Sequence, residues 1–142
     1  MPIPVVHAID VGGKELGSKV LAPLFATLAP GFEARAEELR VQVTSKEGHD
    51  FHILCSYMID GAMFPLSIAA GYHPSIASSR IRIVCGMSIM PDIPHQEGSM
   101  TVRFGERTIS VRVQVTAEDG TEIMKFQPMW DRSSQPNASC EN

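Results

Sequence analysis

The chain has 142 residues, 44% of them hydrophobic and 20% charged, and a formal net charge of −4, which is enough for one domain with a real core and too little for two. A mildly acidic chain without a basic block cannot neutralise a phosphate backbone, so nucleic acid is not expected as a partner. No apolar run approaches the roughly 18 residues of a membrane span, and no basic stretch leads into an apolar one at the N-terminus, so neither membrane insertion nor a secretory signal is expected.

Met1 to Ala8 is apolar with two prolines, which suits a short strand or an extended lead-in. Leu16, Val20, Leu21, Leu24, Phe25 and Leu28 then recur at steps of three and four, predicting a helix from about Lys14 to Ala29. Pro23 should kink that helix or mark its start, and Pro30-Gly31 should end it. The period next changes to two. Leu39, Val41 and Val43 alternate with Arg40, Gln42 and Thr44 as a half-buried strand, and Lys46 to His49 reads as a turn. Phe51 to Ile59 is strongly strand-like, Asp60-Gly61 is a hairpin signal, and Ala62 to Leu66 pairs back.

Pro74 to Ile89 is ambiguous by pattern. Ile76, Arg80, Ile83, Val84 and Met87 fit one helix face with Pro74 in the first turn, yet Arg80 to Ile83 alternate like a strand. Pro91 to Gly98, with two prolines and a glycine, is expected as a loop. Met100 to Phe104 and Thr108 to Ala117 read as strands about a Gly105-Glu106 turn, and Glu122 to Phe126 as another after Glu118-Asp119-Gly120. From Asp131 the chain is Ser, Asn, Gln and Pro without periodicity, so residues 131–142 are expected as a disordered tail on a single domain over 1–130. N-terminal helix, hairpin, connecting helix and three-strand meander together predict an α+β domain with a mainly antiparallel sheet.

Catalytic motifs are weak. Gly12-Gly13-Lys14-Glu15-Leu16-Gly17-Ser18-Lys19 imitates a phosphate loop, but the lysine follows the serine instead of the glycine, about 100° around the helix from its required place. The histidines lie apart or beside prolines and suggest no metal site; Gly86-Met87-Ser88-Ile89-Met90 lacks the second glycine of a nucleophile elbow. Cys55 and His52 sit on opposite faces of a strand. Cys55, Cys85 and Cys140 form no CxxC pair; Cys55 and Cys85 lie in apolar stretches and suit buried thiols, Cys140 in the polar tail suits a free exposed thiol, and together they suit a reduced, cytoplasmic compartment rather than a disulfide framework. No catalytic residue, cofactor or metal is expected from these patterns.

Ser79-Arg80-Ile81-Arg82-Ile83-Val84-Cys85-Gly86-Met87-Ser88-Ile89 resembles the "SRIKxxxGMDI" segment of the type II secretion and type IV pilus assembly ATPases. Gln96-Glu97-Gly98 stands where that family has a loop ending in Gln-Asp-Gly. Val102 to Arg107 and Ile109 to Val113 look like the paired strands ending in "VDLRVS". Upstream, Ala36 to Val43 resembles "ASDIHIEP", and Met58-Ile59-Asp60-Gly61 resembles "RIDG". The likeness runs over roughly residues 36–126 and concerns the domain preceding the family's catalytic domain. It implies a PAS-like α+β fold, a helix at Pro74–Ile89, and a sheet packed on a neighbouring domain in a hexameric ring.

The departures bear on function. The chain ends at Asn142, before the family's phosphate loop, acidic box and metal-binding histidines would occur. Where the family has phosphate-reaching arginines around the Gln-Asp-Gly loop, this chain has Asp92, Ile93 and Ser99; a carboxylate there repels phosphate. Glu38 and Arg40 replace the Asp and His of the upstream motif. The resemblance therefore implies a non-catalytic interaction module docking on a secretion or pilus ATPase, or on itself. Arg80, Gln96, Glu97, Gly98, Arg103, Arg107 and Arg112 are the candidate partner-binding residues. The alternative is a PAS-like sensor holding a small ligand in a cavity with inward polar groups such as Cys55, Ser56 or Tyr57.

Overall fold

A computed structural model of the chain describes residues 6–9, 18–46, 50–89, 93–104 and 106–130. The N-terminal amphipathic stretch forms helix α1 (Ser18–Glu33), one turn beyond the expected stop at Pro30-Gly31. Pro30 costs the helix one N–H, but the chain stays helical because Leu21, Leu24, Phe25, Leu28 and Phe32 make one continuous stripe, each at most 1% exposed. The stop lies instead at Arg35, in the left-handed region with φ 57°. The Ala36 N–H donates to Gly31 O and the Arg35 N–H to Phe32 O, the paired bonds of a Schellman end without its usual glycine. Gly31 has another purpose: a Cβ there would stand 2.6 Å from Leu39 Cδ2, so it lets the helix settle on the sheet.

Strands β2 (Glu38–Lys46), β3 (Asp50–Ile59) and β4 (Ala62–Leu66) form one antiparallel meander. Strands β5 (His95–Phe104), β6 (Arg107–Glu118) and β7 (Thr121–Met129) form a second. The expected loop at Pro91–Gly98 is thus corrected from His95 onward: Gln96, Glu97 and Gly98 pair with Val115, Gln114 and Val113 of β6. The alternating, valine-rich β6 offers a complete ladder, and that outweighs the local loop signal of Gly98. Asp60-Gly61 and Asp119-Gly120 make the hairpin turns, with positive φ at all four residues. Lys46 belongs to β2, while 47–49, Gly105 and the tail 131–142 fall outside the described residues.

Pairing of β7 with β2 joins the meanders, and β1 (Val6–Ile9) adds to β5, giving a seven-stranded sheet in the order β1-β5-β6-β7-β2-β3-β4. All the strand pairings among the described residues are antiparallel. Pro128 lies in β7 opposite Val111 of β6 and beyond the end of the pairing with β2 at Leu39 and Phe126, where a missing N–H is best tolerated.

The connecting segment forms α2 (Pro74–Val84), with Pro74 in the first turn. It ends before Ile89 on Gly86, φ 76°, whose N–H donates to Ile83 O while Met87 N–H donates to Arg82 O. Both helices lie on one side of the sheet. Their buried faces form one core with Leu39, Val41 and Val43 of β2, Val111, Val113 and Val115 of β6, and Met124 and Phe126 of β7. Trp130 fastens the end of β7: its Nε1 donates to Ala36 O at 2.9 Å, its ring meets Phe32 edge-on at 6.4 Å, and Arg35 lies 4.8 Å over it.

Candidate functional site

Because side chains alternate along a strand, the apolar parity that packs on the helices leaves the other parity on the opposite face. Register places Ser56, Arg40, Lys125, Gln114 and Glu97 in one row across β3, β2, β7, β6 and β5. The next row holds Gln127, Arg112 and Ser99. Apolar residues interrupt this polar face, with Leu54 58%, Met63 45% and Met129 52% exposed.

Ion pairing on this face is uneven. Arg40 Nη2 lies 2.9 Å from Glu38 Oε2, and Glu38 is only 8% exposed. Arg40 Nε is buried without a hydrogen-bond partner among the described residues, and Lys125 stands directly opposite Arg40. Gln114 Nε2 donates to Glu97 Oε2 at 3.2 Å, and His95 Nε2 lies 3.7 Å from the same carboxylate.

The residues singled out from sequence divide among three places. Glu97, Arg103 and Arg112 share the helix-free face. Arg107 is exposed at the start of β6 on the other parity, opposite Phe104, and Arg80 lies on α2 across the sheet. Gln96 and Gly98 face the helices and tie them down. Gln96 Oε1 accepts from the Ser88 N–H at 2.7 Å and its Nε2 donates to Ser88 O at 2.8 Å. A Cβ on Gly98 would stand 2.9 Å from Cys85 Cβ and closer still to Cys85 O, so only glycine lets the end of α2 cross β5 here.

Cys55, Ser56 and Tyr57 do not line one cavity. Cys55 is buried opposite Leu66, Tyr57 stacks on Phe64 at 5.3 Å, and Ser56 points to the other face. Burial pushes the Cys55 thiol up to about 11 and the Cys85 thiol up to about 12, far from a reactive thiolate at neutral pH. Burial, then Cys55 and Glu122, push the Tyr72 phenol up as well, and its hydroxyl has no partner among the described residues.

One cluster escaped the sequence reading. Ser78 Oγ donates to Glu122 Oε2 at 2.8 Å, Arg82 Nη2 lies 2.7 Å from the same oxygen, and Arg82 Nη1 donates to Ser78 Oγ. The available signal was parity: Glu122 shares the face of Met124 and Phe126, where a carboxylate is out of place unless paired.

No protein-family model matches the chain, and no curated protein is significantly similar to it. Among the described residues, no helix is long and apolar enough to cross a membrane, and no group of three or more His, Cys, Asp and Glu could hold a metal ion.

Proposed function

We propose that the chain is a non-catalytic docking module that binds a protein through the helix-free face of its sheet. The observation that carries this reading is that face itself. It spans seven strands, no described helix covers it, and Leu54, Met63 and Met129 stand exposed beside Arg40, Lys125 and Arg112. A sheet ordinarily buries its apolar side chains against a second layer, and apolar groups left outside beside charges suit association. The fitting partner surface has an apolar centre and carboxylates opposite Arg103, Arg112 and Lys125.

The partner class comes from the resemblance of residues 36–126 to the domain before the catalytic domain of type II secretion and type IV pilus ATPases. The succession of hairpin, helix and meander, with β7 returned beside β2, supports a PAS-like relationship. Affinity capture from the native host with the tagged chain, read by mass spectrometry, tests the proposal. The expected result is a secretion or pilus ATPase, lost on Arg112→Glu and on Leu54→Glu in folded variants. Capture of an ATPase that survives both substitutions refutes the face; reproducible capture without any such ATPase refutes the partner class.

A further inference from the structure

The apolar layer between α2 and the sheet gives way at one end to a cleft of about 440 Å³, within the range of small-molecule sites. Its floor is the Ser78–Glu122–Arg82 cluster, in which the charged side chains are only 15% exposed for Arg82 and 20% for Glu122. Ion pairs buried to this degree can often be replaced by packed apolar side chains without loss of stability. Its presence in an otherwise apolar interface, at the floor of an open cleft, is better explained by what the cleft receives.

We propose that this cleft is a binding site for a small organic ammonium carrying an apolar or aromatic body. Three features select that chemistry. First, Ser78 Oγ and Arg82 Nη2 both meet Glu122 at Oε2, and no hydrogen bond to its Oε1 occurs among the described residues, which leaves that oxygen as an acceptor for a ligand. Second, Glu118 and Asp119 stand exposed at the mouth, while Arg82, the lone cation among the described lining residues, already faces Glu122. The field in the cleft therefore favours a cation and disfavours a carboxylate or phosphate. An ammonium has three donors and no acceptor, which suits a carboxylate oxygen beside the Ser75 and Ser79 hydroxyls. Third, Phe51, 51% exposed, forms an apolar wall with Val43 and Pro74, onto which a hydrocarbon or ring can lie. This site is on the helix side of the sheet and is independent of the docking face.

The test is an amide chemical-shift titration of the full chain with benzylammonium, with benzyl alcohol as the neutral isostere, and with inorganic phosphate. Benzylammonium should shift Ser75, Ser78, Ser79, Thr121 and Glu122 saturably. Benzyl alcohol should bind about tenfold or more weakly, and phosphate should not saturate. Glu122→Gln should weaken benzylammonium about tenfold. Because that change also removes the partner of Arg82, the paired change Glu118→Gln and Asp119→Asn on the exposed turn provides a second readout; it should weaken binding about threefold with unchanged melting temperature. Equal binding of alcohol and ammonium, saturable phosphate binding, or no shift at the cleft overturns the proposal.

Discussion

Gly98→Ala is the sharpest test of the architecture, because the sequence reading placed Gly98 on a binding loop and the structure places it under a helix end. The added Cβ would lie 2.9 Å from Cys85 Cβ and 3.2 Å from its carbonyl carbon, with the carbonyl oxygen nearer. Ordinary carbon contacts are about 3.5–4.0 Å, so Cys85 must retreat by roughly 0.6 Å or more. The obstacle is backbone, so no rotamer change relieves it. Retreat also strains neighbours that are now closely packed: Ile81 is fully buried, and Ser88 is held by both ends of the Gln96 amide. Overpacking of this kind costs about 1–3 kcal/mol, against a gain of about 0.5–1 kcal/mol from replacing a strand glycine by alanine. A net loss of about 1 kcal/mol lowers the urea midpoint by about 0.5 M. Exchange of the Ser88 amide should quicken in the same variant. An unchanged or raised midpoint refutes the close approach of α2 to β5.

Three further outcomes are expected. Tyr72→Phe removes a buried hydroxyl that has no partner among the described residues, so stability should be unchanged or raised by up to about 1 kcal/mol by urea denaturation. Trp130→Phe loses the bond to Ala36 O and weakens the stacking with Arg35, and should cost about 1–2 kcal/mol, read by circular dichroism because no other tryptophan reports. The buried thiols should make the protein alkali-sensitive. Cys55 and Cys85 keep their protons to about 11 and 12 when folded but lose them from about 9.0 when unfolded. The unfolded chain therefore holds fewer protons between those values, and stability should fall as pH rises above 9. Urea midpoints across that range should decline less steeply in a Cys55→Ala/Cys85→Ala variant; identical slopes refute the assignment.

Legibility of the fold from sequence followed the physics of each segment. Strands β2 and β6 were readable because one face of each is buried, which writes a period of two into Leu39, Val41, Val43 and into Val111, Val113, Val115. Asp60-Gly61 and Asp119-Gly120 were readable because their turns need two successive positive φ values. Glycines that serve close approach misled the reading. Gly31 and Gly98 look like breakers, yet one admits Leu39 and the other Cys85. Conversely, α1 ends at Arg35, which carries no stop signal; its left-handed backbone is held by tertiary contact with Trp130, 95 positions onward. The candidate face was half legible: alternation put Arg103, Arg107 and Arg112 on one polar side, and the structure keeps Arg103 and Arg112 there but turns Arg107 to the parity of Ile109 and Val111. Which strands share that face was not, because only the β7–β2 pairing brings Lys125 beside Arg40.

That pairing provides a test in which stability and docking should move in opposite directions. Arg40 and Lys125 are like charges directly across a strand pair, an arrangement that destabilises a sheet, and among the described residues Glu38 pairs with Arg40. A domain shaped for solitary stability would place a carboxylate at position 125. Lys125→Glu should therefore stabilise the isolated protein by about 0.2–1 kcal/mol through a new cross-strand pair with Arg40, less at high salt. The same change removes a cation from the proposed docking face and reverses its local field, so capture of an acidic partner surface should weaken. A variant that is both more stable and a poorer binder would locate the reason for the like-charge pair in association. A variant that is less stable would show that the two cations are already neutralised within the fold, and the electrostatic case for the face would fail.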